Sequence, residues 1–405
     1  MDRFECLACG RLEARDPFSP FCPNCGGPLF VAPSGRPGGR RIREDRSLAL
    51  ERFADFLPLE RIDPALSLGE GSTPLVPLGR LGSRLGLPGL SAKNEAQNPT
   101  ASFKDRGTAV AVQKAVSLGA GRIGTVSTGN MAASTAAYGA RAGLRTFVLL
   151  KEGTSAASLL GAGVFGPSLI AVKGDYGAVF EASLVLGRKL GIPFMNSIDP
   201  YRLEGYKLTA FEICLQLGRR APGTVVVPVS SGGHLLGLMR GFADLESEGI
   251  IRAYPQIVGV QAGPCAPLAR AFERGLPRWE RIEAGPTIAH AIANPAPPGG
   301  NAVLRLVRER GGLLTAVSDE EMLGAQRELA AEEGLFCQPE SATTLAAAKK
   351  LAAAGLIRPG DGGIVLILTG SGLKTPHLLD PARIDVQRLD LEGLESGLAR
   401  LCRTD

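Results

Sequence analysis

The sequence predicts an α/β protein made of two open, twisted α/β lobes preceded by a small cysteine-rich module. Three observations lead to this fold class. Short apolar runs alternate with longer helical stretches after about residue 70, a rhythm typical of buried parallel strands covered by helices. Four cysteines stand in two close pairs near the amino terminus. The 53 glycines and the alanine-rich stretches favour close packing of helices against a sheet.

Length and charge exclude several classes of protein. A chain of 405 residues is long enough for two or three domains with a large core. Its net charge of +5 comes from basic residues scattered through most of the chain, so nucleic-acid binding is not indicated, whereas anionic small substrates are compatible with it. The sequence contains no run of about 18 apolar residues, which predicts no association with a membrane and a cytoplasmic location.

The amino-terminal cysteines predict a structural zinc site in residues 1–32. Cys6 and Cys9 form one pair, and Cys22 and Cys25 form a second pair after twelve intervening residues. Two such pairs place four thiolates around one Zn²⁺ ion and leave no open position for catalysis. Free thiols and disulfides are the alternatives, and a reducing compartment disfavours disulfides. Because the module lacks an interleaved basic and aromatic face, a structural or docking role is favoured over nucleic-acid binding.

The helices and strands of the two lobes follow from apolar patterning. Six apolar runs are predicted strands: residues 123–126, 146–150, 169–172, 225–229, 257–260 and 364–368. Seven stretches have helical spacing: residues 108–118, 131–142, 177–190, 206–217, 235–248, 319–333 and 341–354. Ligands bind at the carboxyl ends of strands in such sheets, so the loops after these runs are the candidate functional segments.

A lysine in a turn-rich segment is the candidate reactive group. Lys104 follows Phe103 inside residues 98–107, which lead into the first predicted helix. The turn projects the amine, Phe103 can cover a flat ring, and burial lowers the pKa of a lysine towards the neutral, nucleophilic amine. That arrangement suits a Schiff base with an aromatic aldehyde. An ordinary surface lysine at a helix start is the alternative, and the loops described next argue against it.

Two loops after predicted strands have the residue types of anion and ring binding sites. The loop 230–234 combines hydroxyl side chains with adjacent glycines before a helix, which predicts a phosphate cup made of Ser230, Ser231, Gly232, Gly233 and His234. Residues 127–134 open another helix, and Asn130 there can donate to a ring oxygen. A plain strand–helix turn and an ordinary helix N-cap are the respective alternatives.

Two further loops complete the set. Thr369 follows the last predicted strand and places a hydroxyl group next to glycines. Arg202, in residues 196–205, is a candidate anion-binding arginine, although a lone arginine before a helix is usually solvated. Together the loops and Lys104 supply what holds pyridoxal phosphate: an amine for the aldehyde, a cup for the phosphate, Asn130 for the ring oxygen and Thr369 for the pyridine nitrogen.

With these segments the chain resembles the threonine synthase family, in the tryptophan-synthase-β-like group of fold type II pyridoxal phosphate enzymes. The likeness extends over residues 68 to about 380. It is carried by residues 69–75, 98–107, 127–134, 196–205 with Lys207, and 369–374. An amino-terminal zinc ribbon also occurs on some threonine synthase-like proteins.

The resemblance and the element pattern together imply a domain layout. After the ribbon, residues 33–67 form a linker and amino-terminal arm. Residues 68–107 and 206–385 form a large cofactor-binding lobe, and residues 108–205 form a smaller lobe on the substrate side. Residues 386–405 form a carboxyl-terminal tail. Because the family is often dimeric, a homodimer is expected.

The resemblance also implies residue roles and a reaction. Lys104, next to Phe103, holds the cofactor and moves the substrate's α and β protons, while Asn130, the loop 230–234 and Thr369 bind the cofactor. The groups that hold the substrate's carboxylate and leaving phosphate are Ser127, Thr128, Asn196, Ser197 and Arg202, and Met131 is a further substrate-binding residue beside them. The implied activity is that of a lyase of threonine biosynthesis, which converts a small phosphorylated amino acid, O-phospho-L-homoserine, and water to L-threonine and phosphate.

Several residues depart from the family pattern and keep other functions open. Met131, His290 and Glu340 stand where other residues are usual, Ala101 replaces a common glycine, and the loop 230–234 lacks familiar asparagines. The enzymatic alternatives are a β-replacement enzyme such as cysteate synthase, which uses O-phosphoserine and sulfite, and a serine or threonine dehydratase. A relative without catalytic activity that binds partners through its ribbon is the non-enzymatic alternative, and the reactive lysine argues against it.

Overall fold

The computed structural model describes residues 2–14, 18–32, 38–174, 176–357, 359–360, 362–376, 386–392 and 394–402. The chain divides into two units, Met1–Lys374 and Thr375–Asp405. Within the described ranges, no helix is both long enough and apolar enough to cross a membrane.

The strands of the described ranges lie in the first unit. In chain order they are β1 (Arg3–Cys6), β2 (Leu12–Ala14), β3 (Leu29–Val31), β4 (Leu75–Pro77), β5 (Leu90–Asn94), β6 (Arg122–Val126), β7 (Arg145–Lys151), β8 (Ser168–Val172), β9 (Thr224–Pro228), β10 (Gln256–Ala262), β11 (Leu313–Val317) and β12 (Ile364–Leu368).

The α-helices of the first unit cover these strands. They are α1 (Ala49–Arg52), α2 (Gly79–Leu85), α3 (Lys104–Ser117), α4 (Asn130–Arg141), α5 (Ala156–Gly163), α6 (Tyr176–Leu190), α7 (Pro200–Gln216), α8 (Gly233–Ser247), α9 (Pro267–Glu273), α10 (Gly300–Glu309), α11 (Asp319–Glu333) and α12 (Pro339–Ala353). Short 3₁₀ turns occur at Ala54–Phe56, Pro64–Leu66, Glu95–Gln97, His290–Ile292 and Gly372–Lys374. The second unit contains helix α13 (Leu394–Leu401).

The largest sheet has the strand order β11-β10-β9-β12-β5-β4 and is parallel except for the edge pair β4–β5. Val226 at its centre pairs with Val258 on β10 and with Leu366 on β12. The central strands β9, β12 and β5 are buried along their whole length. Because helices cover both faces, β9 and β12 read as continuous apolar runs, which is why the sequence predicts them.

A second parallel sheet has the order β6-β7-β8. Val148 on β7 pairs with Thr125 on β6 and with Leu169 on β8. Ala132 of α4 packs with Val148 in a small separate core cluster. All three strands fall inside residues 108–205, the segment predicted as the smaller lobe, whose boundaries stay a prediction.

The cysteine-rich module is an antiparallel three-stranded sheet with β1 between β2 and β3. Phe4 on β1 and Phe30 on β3 belong to the same hydrophobic cluster as Tyr201 and Phe211 of α7. The module therefore shares its core with the large sheet's helices. Together the two α/β sheets and this module confirm the predicted fold class.

The structure confirms all six predicted strands and all seven predicted helices, and the ends are shifted in all of them except β12 and α11. Two helices begin at least four residues earlier than predicted, α3 at Lys104 and α7 at Pro200. Arg202 therefore lies inside the first turn of α7, not in a loop before it. Asp199 caps this helix, since its carboxylate accepts hydrogen bonds from the backbone N–H groups of Tyr201 and Arg202 at 3.0 and 3.1 Å.

Apolar patterning does not reveal strands β4, β5 and β11. Strand β5 contains Lys93, whose charge interrupts the apolar run although its side chain is fully buried. Strand β4 is a three-residue edge strand that ends in Pro77. In the partly buried strand β11, Thr315 breaks the apolar run.

An ion cluster of four buried side chains lies behind the turn that carries Lys104: Lys93, Glu95, Arg106 and Glu212. Arg106 donates from Nε to Glu95 at 2.5 Å and from Nη1 and Nη2 to the two oxygens of Glu212 at 2.7 Å each. Lys93 Nζ donates to Glu212 at 2.7 Å. Burial by itself would raise the pKa of Glu212, but Arg106 and then Lys93 hold that pKa below its ordinary range. The cluster ties β5, α3 and α7 into one frame.

Replacement of Glu212 with glutamine should strongly destabilise the fold. The amide keeps the shape of the side chain but leaves Lys93 and Arg106 to share Glu95, and breaking a buried ion pair costs about 3–5 kcal/mol. We expect the urea midpoint of unfolding to fall without a change in the m value. As a control, Glu280→Gln removes one partner of the exposed pair with Arg274 and should leave the midpoint unchanged. Equal midpoints for Glu212→Gln and the wild type would contradict the role of the cluster.

Candidate active site

Lys104 is the first residue of α3, and its amine points onto aromatic side chains. Nζ lies 4.4 Å from the centre of the Phe103 ring and 6.0 Å from that of Tyr206. Burial lowers the pKa of Lys104 to about 7, and the nearby Arg202 guanidinium contributes to the same shift. A large fraction of this amine is therefore neutral and nucleophilic near neutral pH, as the sequence predicts.

The turn before Lys104 is held by backbone and side-chain bonds. Ala101 adopts a positive φ of 57°, a conformation that glycine takes without strain, which explains why glycine is common at this position. The Phe103 N–H donates to the carbonyl of Thr369 at 3.0 Å. Asp105 accepts from the N–H and the hydroxyl of Thr100 at 2.6 Å each, so its carboxylate is directed into the turn.

The predicted phosphate cup lies against this turn. Phe103 stacks on His234 with ring centres 3.9 Å apart. Gly232 caps α8 with a φ of +95°, and a Cβ on Gly233 would come within 2.4 Å of the carbonyl oxygen of Ser197. Only glycines allow the backbone to run this close to its neighbours, and the free N–H groups at the start of α8 favour an anion.

Residues outside the cup form hydrogen bonds with Ser231. Ser231 accepts a hydrogen bond from Asn294 at 3.1 Å, and its carbonyl accepts from the N–H of Gly299 at 2.9 Å. Burial, followed by the charges of Lys104 and Arg106, lowers the pKa of His234 well below its ordinary value, so the imidazole is neutral. Among the described residues its ring nitrogens have no hydrogen-bond partner. Asn294 was not among the predicted site residues.

Thr369 and Asn130 come together with two residues that the sequence did not single out as site residues. The hydroxyl of Thr369 lies 2.9 Å from that of Ser341, and the Asn130 amide donates to Gln338 at 2.7 Å. The Gln338 N–H donates to the carbonyl of Gly370 at 2.9 Å, which joins the two pairs. A signal existed, since a predicted helix starts at Ser341 and Gln338 lies just before it, but only the fold shows which loops meet the start of this helix.

The predicted substrate residues before α4 surround the start of that helix. Ser127 is half-buried and accepts from the Gly129 N–H at 3.2 Å, and Thr128 is exposed. Met131 is buried in the first turn of α4. The start of α4 thus presents N–H groups and hydroxyls to an open side of the site, which suits an anionic group.

Arg202 and Asn196 are both buried and engaged with protein groups. The Arg202 guanidinium donates to the Met195 carbonyl at 2.7 Å, to Thr108 at 2.6 Å and to Thr135 at 2.5 Å. Asn196 accepts from the Val126 N–H at 2.9 Å and donates to Ser183 at 3.0 Å. In this arrangement Asn196 joins the end of β6 to its neighbours, and Arg202 joins α7 to α3 and α4.

The two unusual residues Glu340 and His290 lie on neighbouring elements. Glu340 is buried in the first turn of α12 and accepts from the Ala291 N–H at 2.9 Å. Burial raises the pKa of Glu340 above its ordinary value, although the hydrogen bond to Ala291 opposes this shift. The side chain of His290 is exposed. Glu340 therefore acts at least as an acceptor that fixes the turn His290–Ile292.

The four predicted zinc ligands converge. The Sγ atoms of Cys6, Cys9, Cys22 and Cys25 all lie within 4.8 Å of one another. Such a set of thiolates matches a tetrahedral site for a soft or borderline metal ion and leaves no open position.

Sequence-distant segments thus meet around one amine: the turn of Lys104, the cup at the start of α8, and the hydroxyl pair at Thr369. A lysine of low pKa, an anion cup and a hydroxyl group fit the aldehyde, the phosphate and the pyridine nitrogen of pyridoxal phosphate. The half-buried Asn130 amide lies beside this set and fits the ring oxygen.

Comparison with known proteins agrees with this fit. A family model described as pyridoxal-phosphate dependent enzyme matches residues 66–370. The chain is 39% identical to the threonine synthase of Methanocaldococcus jannaschii over 376 residues, which cover 92% of each protein. It is 38% identical to the threonine synthase of Halalkalibacterium halodurans over 330 residues, which cover 81% of this chain and 90% of that one.

Solved structures show the same fold. The processed form of threonine deaminase isoform 2 from Solanum lycopersicum matches with a TM-score of 0.65 and 18% identity, over 90% of this chain and 98% of that one. Serine racemase from maize matches with a TM-score of 0.62 and 19% identity, over 82% of this chain and 92% of that one. The fold is therefore that of fold type II enzymes, and the chain belongs to the pyridoxal phosphate-dependent enzyme family and, within it, to the threonine synthases.

Proposed function

We propose that the chain is a threonine synthase that uses pyridoxal phosphate to convert O-phospho-L-homoserine and water to L-threonine and phosphate. The observation that carries the proposal is the desolvated amine of Lys104. The neighbouring residue Phe103 contacts both the cup, through the His234 ring, and the Thr369 segment, through its backbone N–H. Relatives named threonine synthase, which are similar over most of the chain, support the choice of reaction.

The amine of Lys104 has two tasks in this reaction. Pyridoxal phosphate, when bound by Lys104, supplies an electron sink for negative charge that develops on the substrate's α carbon. Once released, an amine with a pKa of about 7 can take a proton from Cα and deliver one elsewhere on the substrate. Phe103 and Tyr206 keep water from the amine and so preserve its low pKa.

The substrate's anionic groups belong, in this proposal, near Ser127, Thr128, Met131, Ser197 and Arg202. The start of α4 and the guanidinium both favour negative charge. Because Arg202 is occupied by Thr108 and Thr135, it must exchange at least one of those bonds for a phosphate oxygen. Asn196 acts indirectly, since both ends of its amide hold the loop that carries Ser197.

We also propose that Cys6, Cys9, Cys22 and Cys25 hold a structural Zn²⁺ ion. The clustering of their sulfur atoms supports this ion, and a four-thiolate set gives it no role in the chemistry. The homodimer expected from the family and the motion of the smaller lobe over the substrate stay parts of the same proposal.

A β-replacement reaction on O-phosphoserine is the second candidate. Met131 favours it, because its long side chain is buried in the first turn of α4, directly after the loop that carries Ser127 and Thr128. A long side chain beside the substrate would suit a substrate that is one carbon shorter than O-phosphohomoserine.

Purified protein should be yellow, and Lys104→Ala should remove both the colour and the activity. The methyl group can form no imine and take no proton, so phosphate release should fall by at least roughly 10²–10⁴-fold. Absorbance spectra and a phosphate assay measure the two effects. Lys189→Ala, which changes an exposed lysine on α6, is the control and should behave as the wild type. A colourless wild type in saturating pyridoxal phosphate would refute the cofactor assignment.

The substrate is decided by comparing two phosphate donors. O-phospho-L-homoserine alone should release phosphate and yield an equal amount of threonine, because water is the second substrate. O-phosphoserine with sulfite should release little. Phosphate can be followed colorimetrically and the amino acid by chromatography. Release from O-phosphoserine and sulfite only would show that the threonine synthase assignment is wrong and that the second candidate is right.

Capture of pyridoxal phosphate by cofactor-free protein should follow the deprotonation of Lys104. Since the neutral amine reacts, the capture rate should rise as the pH passes through about 7 and then level off. For a lysine with an ordinary pKa of roughly 10.4, the capture rate would still rise tenfold with each pH unit well above about pH 7. Stopped-flow absorbance between about pH 5.5 and about pH 9 distinguishes the two profiles. A rate that keeps climbing to the highest pH would contradict the low pKa.

A further inference from the structure

The amino-terminal ribbon, residues 2–14 and 18–32, contacts the first turn of α7 one residue away from Arg202. Tyr201 of that turn is almost completely buried, and its hydroxyl donates to the carboxylate of Asp2 at 2.7 Å. The ring of Phe4 on β1 meets the Tyr201 ring edge-on, with centres 6.0 Å apart. Two residues of the ribbon thus contact the Tyr201 side chain, Asp2 at its hydroxyl and Phe4 at its ring.

The same carboxylate also reaches the helix of Lys104. Lys114 Nζ on α3 lies 2.7 Å from Asp2 and 5.4 Å from the centre of the Tyr201 ring. Asp2 therefore joins α3 to α7 by one charge-assisted hydrogen bond and one ion pair, both largely shielded from water. These two helices carry Lys104 and Arg202, the reactive amine and the anion-binding guanidinium of the proposed function.

Other ribbon contacts anchor it to elements outside α7. Arg305 on α10 donates to the Leu7 carbonyl, between the first two cysteines. Arg240 on α8 lies 3.4 Å from Glu5, and Phe21 meets Phe180 on α6 edge-on at 6.1 Å. The ribbon is therefore fixed to α6, α8 and α10 in addition to α7.

We propose that the ribbon is a positioning element for the first turn of α7, and that its contact with Tyr201 sets the affinity of the site for a phosphate-bearing substrate. The inference rests on the proposed function, because it takes Arg202 as a ligand of the substrate's phosphate. It assigns positioning roles to Asp2, Phe4 and Tyr201, none of which touches the substrate.

The physical basis is the small size of the ribbon. Three short strands cannot bury enough apolar surface to hold their own shape, so a bound metal ion and the shared core must do it. Strand β1 ends at Cys6, and Asp2 and Phe4 lie at its other end. The four cysteines therefore fix strand β1, and this strand holds Asp2 and Phe4 against Tyr201. Because Tyr201 and Arg202 are neighbours in the first turn of α7, these contacts also fix the position of Arg202.

Two variants of the full holoenzyme test the inference. Asp2→Ala removes the carboxylate, and Tyr201→Phe removes only the hydroxyl and keeps the ring on Phe4. In both, the KM for O-phospho-L-homoserine and the Kd for inorganic phosphate should rise about tenfold while kcat changes less than about twofold. Zinc content and yellow absorbance should match the wild type. Arg11→Ala, which removes a ribbon side chain that pairs with Glu13 at 2.9 Å, is the matched control and should change none of these values.

Hydrogen exchange supplies a readout that is independent of turnover. Amide exchange of residues 201–206 should accelerate in both variants and in full-length protein stripped of metal by a chelator, and should stay unchanged in Arg11→Ala. An unchanged phosphate Kd in Asp2→Ala and Tyr201→Phe would overturn the inference, whatever the exchange rates.

The proposed function and this inference fail in different ways. A wild-type enzyme that releases no phosphate from O-phospho-L-homoserine would refute the function. Calorimetry with inorganic phosphate needs no turnover and would still test the inference. The positioning role would be refuted if the wild type did not bind phosphate, or if the variants bound it as tightly as the wild type.

Discussion

The ion cluster of Lys93, Glu95, Arg106 and Glu212 is the constraint on which the active site depends. Arg106 stands two residues after Lys104, and its guanidinium is bound by carboxylates from two distant segments of the chain. A planar guanidinium has its donors in fixed directions, so bonds to both carboxylates fix the rotation of the first turn of α3. The amine of Lys104 therefore leaves that turn in one direction, towards Phe103 and Tyr206.

That fixed direction explains how the fold keeps a lysine amine neutral. The amine lies over aromatic rings, and the positive charge of Arg202 disfavours its protonation. Asp105, adjacent in sequence, would stabilise the charged amine if it faced the same way, but Thr100 binds both of its oxygens. The low pKa of Lys104 thus depends on the conformation of the turn. In another conformation the same residues could form a salt bridge between Lys104 and Asp105, which would raise that pKa.

The ribbon is built into the same frame. Its buried residues share a core with α7, and its polar contacts reach α3, α8 and α10. A module that served only to bind partners would need few contacts with the catalytic lobes. The continuity of the core argues for a role inside the enzyme, and the adjacency of Tyr201 and Arg202 gives that role a location.

The sequence by itself determined the features that depend on neighbours in the chain. Strands buried on both faces and the paired cysteines are local patterns, and the structure confirms both. The glycines of the phosphate cup and the lysine turn are local patterns as well, and their roles stay predictions. The tertiary structure alone decided the features that depend on distant partners. Asn130 meets Gln338 across 208 positions, and Ser341 meets Thr369 across 28. Lys93 is tolerated inside β5 because Glu212, Thr73 and Gln216 accept hydrogen bonds from its amine. The physical reason is that a polar side chain is buried according to the partner that the fold brings to it, and local sequence carries no record of that partner.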